Sequence, residues 1–377
     1  MRSSKEKWPF TALTRRSAAF VSVVLVVSLA GIADGGAGID KATGIIQAKK
    51  IVAQYSTSQR TLRLATLTKT PPTGKTVAWV FCTLPSCQAS AAAPAAAKLG
   101  WKFDLYAFDL TKGPAAMAEA FDRAIAAKPD YIGFPGIFPD AVVAQQLSKA
   151  KAANIPVVKI TGDLSADPAV VSCVQCSPQR SFTGRLQADI ALADAGTKTS
   201  IVYANDPVIN GIQQSYTGAA AEVKRNGAGS KFAAVRISVL APPAETAQII
   251  VNYLRRHPDV KYLLAGIGDP MTAVPNALKS AGLSKKVKLI YSAPQAGDMA
   301  QLRAGIQFAT VADENIMAHW RAIDALAHIS VGEEAPKLSG PATWHQIITS
   351  TTARKYGTAA PQAPGFQQSF FRSWRVG

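Results

Sequence analysis

The chain has 377 residues, 48% hydrophobic and 17% charged, which excludes a disordered chain and leaves room for one large core or two lobes. Its formal charge is +17, yet the cations are scattered, with only short pairs such as Lys49-Lys50, Arg255-Arg256 and Lys285-Lys286. The charge therefore points to weak attraction for anionic lipid or wall polymer and not to a nucleic-acid partner.

The chain opens with a basic stretch, Arg2, Lys5, Lys7, Arg15 and Arg16, ahead of an apolar run over 17–33. Ser28-Leu29-Ala30 and Gly31-Ile32-Ala33 both fit the small-x-small rule for signal peptidase, so residues 1–33 are predicted to be an export signal. Removing its five basic residues and Glu6 takes the charge from +17 to +13. The alternative is an uncleaved anchor, for which the run falls short of the ~20 apolar residues of a span. No Cys lies near the cleavage sites to carry a lipid. The protein is expected outside the cytoplasmic membrane.

Residues 34–73 read as peripheral: a helix over 40–55, then a polar linker ending in Pro71-Pro72-Thr73-Gly74. From Thr76 short apolar runs alternate with helical segments. The predicted strands are 76–81, 102–108, 131–134, 156–160, 170–174, 200–203, 231–237, 261–265, 288–291 and 308–312. Met117, Phe121 and Ile125 recur four apart between two of them, as do neighbouring Ile249, Ile250, Tyr253 and Leu254 between two others. Such alternation demands parallel strands with crossover helices, hence an α/β doubly wound sheet. The segment opened by Lys128-Pro129-Asp130-Tyr131 is matched by one opened by His257-Pro258-Asp259-Val260: strand, Pro/Gly/Asp loop, helix, strand. Two similar lobes imply a cleft between them.

The four cysteines form two close pairs, Cys82 with Cys87 and Cys173 with Cys176. Outside the cytoplasm the expectation is two local disulfides, with crossed pairing or a four-cysteine zinc site as alternatives. No metal and no cofactor is assigned.

Ligands of open parallel sheets bind at the carboxyl ends of the strands. Reading the residues that follow each strand gives Phe81, Thr83, Leu84, Phe134, Pro135 and Thr161 in the first lobe. The second gives Asn205, Gly268, Asp269, Pro294, Gln295 and Asp313. Aromatic faces suit a flat apolar surface, and carboxylates accept hydroxyl hydrogen bonds. Asp269 has a rival role as N-cap of the helix beginning near Pro270. Catalytic signatures are absent: no His-Glu-x-x-His, no Gly-x-Ser-x-Gly and no phosphate-cradling Gly-x-x-x-x-Gly-Lys-Ser/Thr loop occurs. No catalytic residue is assigned. His319, beside Trp320, reads as helix packing.

The order of these segments resembles type I periplasmic binding proteins of the ribose-binding branch over about 76–330. The marks are the first strand with its Cys-x4-Cys loop, Asn154-Ile155-Pro156-Val157-Val158, Arg255-Arg256-His257-Pro258-Asp259-Val260, the Gly268-Asp269-Pro270-Met271 loop and Phe308-Ala309-Thr310-Val311-Ala312. It is most similar to actinobacterial sugar-transporter binding proteins. The resemblance implies a hinged interlobe cleft and a monomer that binds a small molecule, a sugar, polyol or related solute. It also implies an ABC transporter permease as membrane partner, or alternatively a membrane sensor. It divides the chain into 74–177 plus 314–336 as lobe 1 and 178–313 plus 337–377 as lobe 2, with crossings near 176–178, 312–315 and 332–337. Sugar binders of this branch carry an Asp-Arg pair where this chain has Thr161-Gly162, and an Arg near Gln214 and Ser215. A sugar held by a bidentate Arg is therefore not implied, and a less polar ligand or a differently held polyol stays open.

Overall fold

Buried parallel strands read as unbroken apolar runs because helices cover both faces, and each such run forms a strand. The computed structural model describes residues 41–57, 61–337 and 343–377; the predicted signal lies outside them. The first sheet is parallel, in the order β2-β1-β3-β4-β5. Its strands are β1 (Thr76–Cys82), β2 (Lys102–Phe108), β3 (Tyr131–Pro135), β4 (Val157–Ile160) and β5 (Val170–Val174). The second consists of β6 (Ser200–Asn205), β7 (Lys231–Arg236), β8 (Tyr262–Ala265), β9 (Lys288–Ser292), β10 (Ala309–Ala312) and β11 (Gln346–Thr349). Its order is β7-β6-β8-β9-β10-β11, with only β11 antiparallel. Both lobes thus use one winding, as the repeated Pro-Asp segments require, and each has a switch point beside its first strand.

Helices α2 (Ala93–Lys98), α3 (Pro114–Ala126) and α4 (Ala144–Ala152) belong to the first lobe. Helices α5 (Ser177–Ala195), α6 (Asn210–Asn226), α7 (Pro243–Arg256), α8 (Val274–Ser280) and α9 (Ala296–Arg303) belong to the second. Buried Met117, Ala120, Phe121 and Ala124 form the inner stripe of α3, the 3.6-residue period seen in sequence. The chain crosses between lobes from β5 into α5, and from β10 into α10 (Asn315–Ser330), which packs on β4 and β5.

Two segments depart from the sequence reading. Helix α1 (Lys41–Ser56) is docked on α5, α6 and β11, with Ala48 wholly buried and Gly44 against the backbone of Asn226. It is part of the second lobe's packing, not a peripheral appendage. The tail beyond residue 337 does not stay with the second lobe. After β11 it returns as α11 (Phe366–Trp374), where Trp374 stacks on Trp320 of α10 at 6.0 Å and its indole donates to Asp324 at 2.7 Å. Leu67 pairs with Ser373 through backbone at 2.9 Å, so the segment before β1 and the tail close the first lobe together. Apolar area explains the return: Trp320, Phe370 and Trp374 are each at most 2% exposed, and each such side chain stabilises by roughly 1.5–3 kcal/mol when covered. Among the described residues no helix is long and apolar enough to cross a membrane.

Candidate functional site

The carboxyl ends of both sheets face one cavity of about 80 Å³, lined from both lobes. From the first lobe β1 contributes Phe81, and the loop after it contributes Leu84, Ser86 and Cys87. The Cys82–Cys87 disulfide closes that loop. The end of β3 adds Pro135 and Ile137; β4 ends in Ile160 and Thr161. Thr161 has a left-handed backbone (φ 62°) and is followed by Gly162 (φ 94°), whose missing side chain lets it pass the Gly136 carbonyl. Gln175 and Arg180 enter from the turn that the Cys173–Cys176 disulfide clamps and from the first turns of α5.

The second lobe's wall is apolar. Ile209, Gly211 and Ile212 come from the start of α6, Val239 follows β7, Gly266 and Ile267 follow β8, and Ala293 follows β9. Asn315 and His319 from the start of α10 complete the enclosure. The lobes touch directly. Asn210 donates its backbone N–H to Ile137 (2.8 Å) and its side-chain amide to Gly136 (3.1 Å). Gln214 donates to Asp163 (2.8 Å), and Gln88 donates to Gln295 (2.6 Å). The lobes are closed on each other.

Of the residues expected from strand ends, Phe81, Leu84, Pro135 and Thr161 line the cavity. The others stand elsewhere, each for an identifiable reason. Thr83 is exposed and borders a separate depression. Phe134 points into the first-lobe core against Phe121, ring centroids 5.3 Å apart. Asn205 donates to Gln213 at 2.8 Å. Gly268 gives room to the carboxylate of Asp298, which a Cβ there would meet at 2.5 Å. Pro294 and Gln295 border another separate depression, and Gln295 caps α9 in a reciprocal box with Asp298. Asp313 is spent on Arg180, an ion pair at 2.9 Å with the carboxylate 3% exposed. Asp269 neither lines the cavity nor acts as N-cap: Gly268 occupies the cap position without a side-chain hydrogen bond. Asp269 faces Ser86 across the lobe boundary, and burial raises its pKa.

Arg180 and His319 were missed in sequence because they lie on helices, not after strands. His319 is 1% exposed, packs on Phe81 with ring centroids 4.7 Å apart, and leaves Nδ1 without a partner. Burial pushes its pKa down to about 3, so the ring is neutral and polar without charge. A depressed histidine pKa contributes stability above the unfolded value near 6.5, and that stability is lost as pH falls towards the folded value. Wild type is therefore expected to lose about 3 kcal/mol more than His319→Gln between pH 7 and pH 4. Urea melts of both proteins at the two pH values check this; parallel losses would show that the ring is not held neutral.

The family model described as periplasmic binding protein domain matches residues 88–334. No curated protein matches the chain. Among solved structures it is similar to GanP, a glucose-galactose binding protein from Geobacillus stearothermophilus, at 20% identity and TM-score 0.65, covering 74% of this chain and 98% of that one. A 5-methylthioribose transporter solute binding protein from Thermotoga lettingae matches at 16% identity and TM-score 0.64, covering 81% and 98%. A carbohydrate transporter from Acidothermus cellulolyticus in complex with myo-inositol matches at 13% identity and TM-score 0.61, covering 80% and 99%.

Proposed function

Because the chain belongs to the periplasmic binding protein domain family, we propose that it is an extracytoplasmic solute-binding protein of an ABC transporter. It closes its lobes on a small molecule and presents the closed form to a membrane permease. One observation carries this reading: the cavity is walled by strand ends and helix starts of both lobes, and direct lobe-to-lobe hydrogen bonds span it. Loading and emptying it require the lobes to part, which is hinge motion about the crossings. The printed ligands of the neighbours, glucose-galactose, 5-methylthioribose and myo-inositol, support a small cyclic molecule as the solute. A rival reading would make the chain an exported enzyme with Asp269 and Asp313 as an acid/base pair. Neither lines the cavity, and Asp313 is engaged by Arg180.

The double substitution Asn210→Ala/Gln214→Ala removes two lobe-to-lobe ties and is expected to shift the chain towards an open form. Small-angle scattering should record a larger radius of gyration than wild type, with the melting transition nearly unchanged. Superimposable scattering curves would count against hinge closure.

A further inference from the structure

We propose that the solute is a neutral, ring-sized molecule with a mainly apolar body and one or two hydrogen-bonding groups, not a free hexose or a carboxylate. This rests on the solute-binding reading and narrows it.

The first ground is the chemistry of the walls. Ile137, Ile160, Ile209, Ile212, Val239 and Ile267 surround the space from both lobes, and branched aliphatic walls offer no hydrogen bonds. The second ground is that the polar groups at the cavity are mostly occupied. Arg180 is held by Asp313 and leans on the Thr161 hydroxyl at 3.4 Å; Asn315 donates to the Ser86 carbonyl at 3.1 Å. Among the described lining residues, what stays open is the amide of Gln175, Nδ1 of His319 and the Arg180 N–H groups that neither Asp313 nor Thr161 takes. A hexose brings more hydroxyls than these groups can satisfy. Each hydroxyl buried without a partner weakens binding by roughly 5- to 150-fold. The third ground is charge. The guanidinium of Arg180 is already neutralised, so a carboxylate would enter the cavity with no cation of its own and be penalised for desolvation. An apolar ring with one or two polar groups meets all three conditions, stacking against Phe81 and Ile212 with a polar group at Gln175 or His319.

The test is calorimetric titration and thermal shift of the chain with cyclohexanol, benzyl alcohol, benzoate, D-glucose and myo-inositol. The expected result is saturable one-to-one binding of a ring alcohol, with a negative heat-capacity change. Glucose, inositol and benzoate should bind at least ~100-fold more weakly, two or more unpaired polar groups being left in each polyol. Ile212→Asn and, independently, Ile137→Asn should each weaken the alcohol about tenfold or more; two positions are used in case one variant fails to fold. Glucose or inositol binding within tenfold of the alcohol, or tighter, overturns the apolar assignment and leaves the solute-binding reading standing. Benzoate binding more tightly than benzyl alcohol overturns neutrality in the same way. If none of the five binds, the inference fails, while the solute-binding reading is still judged by the scattering of Asn210→Ala/Gln214→Ala.

Discussion

Arg321→Ala is expected to lower the stability of the fold by about 3–5 kcal/mol, the range for stranding one partner of a buried ion pair. Glu314 is 1% exposed at the side chain and Arg321 7%. The guanidinium donates twice to the carboxylate, at 2.5 and 2.7 Å, and the backbone N–H of Trp344 adds a third bond at 2.8 Å. The pair sits where the chain leaves β10 and enters α10, tying that crossing to the segment leading into β11. Removing Arg321 leaves a carboxylate with neither water nor counter-charge. A neutral double replacement, Glu314→Gln/Arg321→Met, should recover most of the loss, because desolvation of the pair offsets much of its attraction. Urea denaturation of the three proteins checks this. A single-variant loss below about 1 kcal/mol would show that water or another group reaches Glu314.

Gly184→Ala and Gly218→Ala should each lower stability by about 3 kcal/mol, at the upper end of the usual overpacking range. Helices α5 and α6 cross closely enough that a Cβ on Gly184 would lie 1.8 Å from the Ser215 carbonyl oxygen, and one on Gly218 1.9 Å from that of Ser181. Both obstacles are backbone, so relief requires moving a helix, and α1 rests on both of them. Gly297, inside α9 with open space around it, is the control: Gly297→Ala should be neutral or stabilising by ~0.5–1 kcal/mol through the unfolded state. Thermal melts that fail to separate the two crossing glycines from Gly297 would mean that the helices move apart at little cost.

The strands were legible because their burial is local information: apolar runs such as Thr76–Cys82 and Ser200–Asn205 have no exposed face to interrupt them. The local disulfides were legible from the close spacing within each pair and the predicted export, while crossed pairing is settled only by the fold, which sets each pair's Cα atoms 5.8 Å apart. Helix α11 was not, since its burial depends on Trp320 and Asp324, and nothing around Phe366 announces them. In the cavity, the strand-end rule found Phe81, Leu84, Pro135 and Thr161 but overvalued polar residues. Asn205, Asp313 and Gln295 have the chemistry of ligand groups, and the same chemistry pairs, caps and braces loops. The apolar wall was overlooked because Ile209 and Ile212 open a helix, where an isoleucine reads as core. The available signal was the small residue between them, Gly211, which leaves space beside the Arg180 guanidinium.

The stacking of Trp374 on Trp320 also sets an order of events during synthesis. By the time residue 330 has been made, the five strands of the first lobe and α10 exist, yet the apolar face around Trp320 still lacks its cover. That cover arrives only with residues 366–374, and the hydroxyl of Ser373 then reaches back to the Ala65 carbonyl across 308 positions of sequence. Domains generally mature from the amino end as a chain emerges. Here the lobe begun first is finished last, after the second sheet is available in full, so a nascent chain holds an unsealed tryptophan surface from residue 320 until residues 366–374 are made.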